Sequence, residues 1–161
     1  VRARHRRIGI VGHVGRLQVQ REVSRLVPRL RRRGCEVRVE SALADVIGLP
    51  GEPLGRLASW CQVMISLGGD GTVLIAGRAM SGQRGAVLAV NLGGLGFLAA
   101  AEARELDAAV DAALAGRWAI ATRSGVETRV RRARGGRARA TGFALNDAVV
   151  RSAVGYAAVH L

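Results

Sequence analysis

The segment Ser66-Leu67-Gly68-Gly69-Asp70-Gly71-Thr72 holds the residues best suited to chemistry. It follows the apolar run Val63-Met64-Ile65, so a buried strand enters a turn almost without side chains, then a helix opened by Thr72. Glycines there let backbone N–H groups close on a phosphate chain, and a helix N-terminus favours anions. Asp70 is the odd component. A carboxylate repels phosphate unless it meets Mg²⁺, takes a proton or orients a hydroxyl. A turn that holds phosphate and carries a fixed base points to phosphoryl transfer. The binding candidates are therefore Gly68, Gly69, Asp70, Gly71 and Thr72, with Asp70 as the catalytic group. The competing role for Asp70 is a turn residue that bonds its own backbone, since Asp and Gly abound in turns.

The elements around this turn alternate. Ile8-Gly9-Ile10-Val11 reads as a short buried strand. From Leu17 to Arg33, Val19, Val23, Leu26, Val27 and Leu30 recur at helical spacing, while Pro28 argues for a kink or an early break. Arg31-Arg32-Arg33 before Gly34 suits a helix end better than a nucleic-acid patch. Cys35 to Glu40 alternates as a half-exposed strand, and Ser41 to Pro53 reads as a weak helix and a loop. Leu54 to Trp60 leads into the strand Val63 to Ser66; a helix from Thr72 to about Met80 follows the turn. Ala86 to Val90 is an apolar strand ending in a second glycine-rich turn, Asn91-Leu92-Gly93-Gly94-Leu95-Gly96-Phe97-Leu98, expected to shape a cleft floor. Glu102 to Gly116 is a helix with Leu106, Val110, Ala113 and Leu114 on one face. This succession predicts an α/β fold: a doubly wound parallel sheet over residues 1–116, with both glycine turns on its ligand-binding edge.

After Gly116 the pattern changes to consecutive strands. Val126 to Arg134 and Arg137 to Phe143 flank the hairpin signal Gly135-Gly136. Leu145 to Arg151 reads as another strand and Tyr156 to Leu161 as one more. Residues 117–161 are thus expected to begin an antiparallel β domain, left incomplete with a bare edge.

Composition narrows the setting. The 161 residues are 49% apolar with mean hydropathy +0.18, ample for a core, yet only 3% aromatic, so aliphatic side chains must fill it. No apolar run approaches the ~20 residues that span a bilayer. The basic start, Val1-Arg2-Ala3-Arg4-His5-Arg6-Arg7, lacks a cleavage site, so a cytoplasmic, membrane-free protein is expected. Cys35 and Cys61 stand far apart beside apolar runs, as structural thiols do; with His5, His13 and His160 scattered, no metal-ligand set is assigned. All 25 basic residues are arginine, and the net charge is +13. Absence of lysine excludes a Walker-type loop. The charge agrees with polyanionic ligands without selecting among them, and it also reflects a compositional bias towards Arg, Ala, Gly and Val. An arginine-rich hairpin, Arg129 to Arg139, could follow a phosphate backbone, but it lacks stacking aromatics, which argues against nucleic acid.

Three segments in register narrow the chemistry: Leu67-Gly68-Gly69-Asp70-Gly71-Thr72, Val90-Asn91-Leu92-Gly93-Gly94-Leu95-Gly96-Phe97-Leu98 and Ala144-Leu145-Asn146-Asp147. In their order and separations the chain resembles the NAD kinase family, from Ile8 to its end. The resemblance implies transfer of the γ-phosphoryl of ATP, or of polyphosphate in some members, to the adenosine ribose 2′-hydroxyl of NAD, giving NADP. It implies a divalent metal, Mg²⁺ with ATP, and a homo-oligomer binding small nucleotides. Asp70 matches the aspartate that orients or deprotonates the hydroxyl; Asn146 and Asp147 match the pair that binds the NAD nucleoside. Ile75 stands where many members carry a basic residue, and Gly94 where Arg is common. The chain ends before the family's downstream Asp-Gly and Thr-Pro-Thr-Gly-Ser-Thr-Ala-Tyr segment, so it is expected to be C-terminally truncated relative to members nearly twice as long. The alternative is a catalytically inactive fragment or degenerate copy that binds nucleotide or a full-length subunit.

Overall fold

A computed structural model of the chain describes residues 7–93, 96–130 and 140–149. The chain divides into two compact units, Val1–Ala121 and Thr122–Leu161. The first unit is built on β1 (Arg7–Gly12), β2 (Glu36–Glu40), β3 (Gly51–Glu52), β4 (Val63–Gly68), β5 (Ala86–Asn91) and β6 (Ala101–Glu102). These pair in the order β3-β2-β1-β4-β5-β6, every pairing parallel. Parallel strands need crossovers. Here α1 (Leu17–Arg32), α2 (Ser41–Val46), α3 (Leu54–Trp60), α4 (Asp70–Met80) and α5 (Leu106–Leu114) supply them or close the sheet.

Strand alternation decides which helix covers which face. Ile8 and Ile10 of β1, Val63, Ile65 and Leu67 of β4, and Leu88 and Val90 of β5 share one core with Val19, Val23, Leu26 and Leu30 of α1, Leu43 of α2, and Leu106, Val110 and Leu114 of α5. Val11 and Met64 face the opposite way and pack with Leu57 and Ala58 of α3 and Ala76 and Met80 of α4. The sheet is thus covered on both sides, the doubly wound arrangement that the alternating sequence predicts. All six residues of β4 are buried, as its central place requires.

Several local expectations need correction. Helix α1 runs through Pro28 to Arg32 without an early break. Proline removes one helical donor, but Val23, Leu26, Val27 and Leu30 on either side are all buried, and that packing carries the helix past it. Helix α4 begins at Asp70 with Gly69 as its N-cap, so Thr72 lies inside the first turn instead of opening the helix. The expected helix over 102–116 divides into a 3-10 turn (Ala103–Glu105) and α5; a capping box between Glu102 and Glu105 starts it. The two-residue strands β3 and β6 are too short to leave a period in the sequence.

The second unit contains β7 (Val126–Val130) and β8 (Ala140–Ala144), paired antiparallel from Val126↔Ala144 to Val130↔Ala140. This is the hairpin expected around Gly135-Gly136, although that turn and Arg131 to Arg139 lie outside the described residues. Residues 145–149 form no strand, contrary to expectation, because the chain bends at Leu145 and Asn146. Asn and Asp side chains bond nearby backbone and favour such bends. The strand expected over Tyr156 to Leu161, His5, His160, and Gly94 of the second glycine turn also lie outside the described residues.

Between α1 and α5 runs an ion-pair ladder. Arg25 holds Asp107 with both terminal nitrogens at 3.0 Å and Glu22 at 2.8 Å. Arg29 contacts Asp107 and Asp111, and Arg33 contacts Asp111. The hydrogen bonds from Arg25 hold the Asp107 carboxyl below its usual range. A carboxyl whose folded pKa is lowered contributes stability above its unfolded value, about 4, and loses it as pH falls through the folded value. Asp107→Asn should therefore flatten the fall in melting temperature below about pH 4 relative to the native chain. Thermal melts at stepped pH in low salt check this; because the pair is half-exposed, 1 M salt should shrink the difference.

Candidate functional site

In a parallel sheet the segments that leave successive strands emerge on one edge, and a reversal of strand order opens a crevice there. Here the order reverses between β1 and β4. The chain leaving β1 is His13-Val14-Gly15-Arg16, that leaving β4 is Gly69 into α4, and that leaving β5 is the second glycine turn. The sequence places no bulky side chain in the latter two until Phe97 (apart from Leu92 and Leu95), so hydrogen bonds must fix them.

Asp70 makes the central pair of these bonds. Its half-buried carboxylate accepts from the Phe97 N–H at 3.1 Å through Oδ2 and from the Leu98 N–H at 3.2 Å through Oδ1. As first residue of α4 it also places negative charge at the positive end of that helix. The carboxylate is thus not a turn-former bonding its own backbone; it ties one glycine turn to the other. Two further bonds close the junction: Leu92 N–H to the Gly68 carbonyl at 3.1 Å, and His13 N–H to the Leu67 carbonyl at 3.0 Å. Gly68 and Gly96 are required by close approach. A Cβ on Gly68 would stand 2.4 Å from Thr72 Oγ1, and one on Gly96 would stand 2.8 Å from Asp70 Oδ1.

A cleft of about 620 Å³ opens beside this junction, lined by Asn91, Gly93 and Gly96 and by residues 99–105. Asp70 sits directly behind Gly96 at the cleft wall. The expectation that the Asn91 to Gly96 turn shapes a cleft floor agrees with this lining. Asn91 Oδ1 accepts from the Gly93 N–H at 3.1 Å, and Arg16 Nη1 donates to the Gly93 carbonyl at 3.2 Å. Arg16 was not singled out by the sequence; its only signal is its place in Gly12-His13-Val14-Gly15-Arg16, just past a buried strand. Gly68, Gly69, Asp70, Gly71 and Thr72 all lie at the β4–α4 junction, with Thr72 buried. Asn146 and Asp147 lie in the second unit, both exposed, after β8.

The arrangement can hold an anion with backbone N–H groups and present a carboxylate whose orientation is fixed. A carboxylate offers about four acceptor sites, of which two are engaged, so an incoming hydroxyl can still donate to it. Among the described residues, no group of three or more His, Cys, Asp or Glu is placed to hold a metal ion. No helix among them is long and apolar enough to cross a membrane. Cys35 and Cys61 are buried thiols not joined in a disulfide, and burial raises the Cys61 thiol above its ordinary range, which suits a structural role.

Asp70→Ala should release both amides. Hydrogen exchange at Phe97 and Leu98 is expected to accelerate by at least about tenfold while β4 amides remain protected, and the loss of two charge-assisted bonds should cost about 1–3 kcal/mol. Unchanged exchange at those two amides would contradict the tie.

Residues 56–118 match the family model described as ATP-NAD kinase N-terminal domain. The NAD kinase of Ectopseudomonas mendocina is 37% identical over 148 residues, covering 90% of this chain and 50% of that protein. The NAD kinase of Solibacter usitatus is 37% identical over 143 residues, covering 88% of this chain and 49% of that protein. Among solved structures, yeast NADH kinase complexed with NADH superposes with a TM-score of 0.77 at 19% identity, covering 88% of this chain and 47% of the other. The chain thus spans about half the length of the relatives it matches. It is similar in sequence to proteins named NAD kinase, and it shares the fold of a solved NADH kinase over most of its length.

Proposed function

We propose that this chain serves NAD kinase chemistry, transfer of the γ-phosphoryl of ATP or polyphosphate to the 2′-hydroxyl of the adenosine ribose of NAD. The observation that carries the reading is the Asp70 carboxylate, fixed by two N–H groups of the second glycine turn beside a cleft lined from the ends of β5 and β6. An alcohol is a poor nucleophile at neutral pH, and a positioned carboxylate is the expected remedy. In the transfer, Asp70 orients the hydroxyl and takes its proton. The 2′-oxygen bonds the γ-phosphorus, the bond from that phosphorus to the β–γ bridging oxygen breaks, and ADP leaves. Gly69 and Gly71 bring backbone donors to the phosphates, Gly68 lets the turn close tightly, and Thr72, whose N–H is held by the Gly69 carbonyl at 3.0 Å, shapes the turn. Mg²⁺ enters as part of the Mg·ATP substrate and neutralises phosphate charge.

In this reading, residues 1–116 form the nucleotide-binding domain and residues 117–161 begin the antiparallel domain. Asn146 and Asp147 serve the NAD nucleoside from the latter. The protein works in the cytoplasm as a homo-oligomer. Similarity to proteins named NAD kinase favours this over a non-catalytic copy. The test is NADP formation by the polypeptide that carries this chain, given NAD and Mg·ATP or polyphosphate. NADP should accumulate, and Asp70→Asn should lower kcat by about 10²–10⁴. Failure of the folded native protein to form NADP with either donor, or an Asp70→Asn variant with native kcat, would contradict the proposal.

A further inference from the structure

We infer that Arg16 contacts the phosphates of the donor, supplying the positive charge at a site with no lysine; this rests on the phosphoryl-transfer reading above. Arg16 lies in the segment leaving β1, and its guanidinium reaches the Gly93 carbonyl, in the turn leaving β5. In the sheet, β4 lies between those two strands, so this contact passes over the carboxyl end of β4, where the glycine turn and Asp70 begin. Its far end touches a residue that lines the cleft.

Arg16 has no carboxylate beside it among the described residues. Arg25, Arg29, Arg33, Arg38, Arg104 and Arg129 each meet a carboxylate. Arg16 is half-buried, forms no ion pair among the described residues, and has as its recorded side-chain acceptor a neutral carbonyl. A guanidinium carries five N–H donors, so one bond to a carbonyl leaves most of its donors and all of its charge uncompensated. An incoming phosphate would meet donors and charge that no carboxylate among the described residues already holds. Planar donor pairs match phosphate oxygens well. Gly93 is fitted to this approach: its φ is +145°, and a Cβ there would stand 3.4 Å from Arg16 Nη1. The same side chain therefore holds the second glycine turn at Gly93 and keeps further donors for a polyphosphate tail.

The two functions separate by substitution. Arg16→Gln keeps a donor for Gly93 without the charge, Arg16→Met keeps only the apolar stem, and Arg16→Lys keeps the charge. Calorimetric titration of the protein with Mg·ATP, inorganic tripolyphosphate and AMP provides the readout, with melting temperatures confirming that each variant is folded. Arg16→Gln and Arg16→Met should weaken Mg·ATP and tripolyphosphate by at least about tenfold, in line with a lost charge-assisted bond, and change AMP by less than about twofold. Arg16→Lys should recover part of the loss. Weakening of ATP but not tripolyphosphate would overturn the inference, as would equal weakening of all three ligands, which would show a role through the turn alone. Native affinity in folded Arg16→Gln would also overturn it while leaving the phosphoryl-transfer reading intact. A native protein that binds neither polyanion would overturn both.

Discussion

Two glycine-rich turns meet at the edge of the sheet, and the carboxylate of Asp70 fastens them. Backbone without side chains has no apolar surface with which to pack, so its conformation has to be fixed by hydrogen bonds. The amides of Phe97 and Leu98 receive theirs from Asp70, the amide of Leu92 from Gly68, and the carbonyl of Gly93 from Arg16. These polar contacts, with Leu92 and Ala101 packed into the core beneath, give the cleft wall its shape. A carboxylate committed in this way loses rotational freedom. That is the property a group needs if it is to meet one particular hydroxyl, since a fixed orientation carries no entropy cost at the moment of reaction.

The junction is steady because of what lies beneath it. β4 is buried over its whole length between β1 and β5, and the two cores on opposite faces of the sheet clamp it. Asp70 follows this strand by two residues and heads a helix whose Ala76 and Met80 are packed into the second core. Motion at Asp70 would have to be shared with the sheet or with α4. The ladder between α1 and α5 ties two helices of the first core together at the surface, where it is open to salt and acid.

Much of the sheet was legible because its central strands β1, β4 and β5 are largely apolar, β2 alternates, and α1 is amphipathic. Ile8 to Val11, Val63 to Ser66 and Ala86 to Val90 could hardly be anything but buried parallel strands once helices were seen between them. The strands of two residues could not be seen, because a period needs more repeats than that. Pro28 misled because local propensity weighs the lost donor and not the packing of Leu26 and Leu30. At the site, the glycine pattern marked Asp70, but its bonds to Phe97 and Leu98 join residues 27 and 28 positions apart and depend on the path of the second turn. Arg16 was hidden for the same reason: its contact with Gly93 spans 77 positions, and in a chain with 25 arginines its place just past β1 is a weak signal. In the second unit the pairing of β7 with β8 was legible from the strand patterns, while the bend at Leu145 and Asn146 overrode the strand expected to follow.

All of this comes down to whether a nucleotide's sugar reaches the fastened carboxylate. A crystal structure of the protein with NAD would decide it. The 2′-oxygen of the adenosine ribose should lie about 2.6–3.2 Å from an Asp70 oxygen, with the Phe97 and Leu98 amides still bonded to the same carboxylate. A ribose bound away from Asp70, or a side chain that has left both amides, would contradict the account.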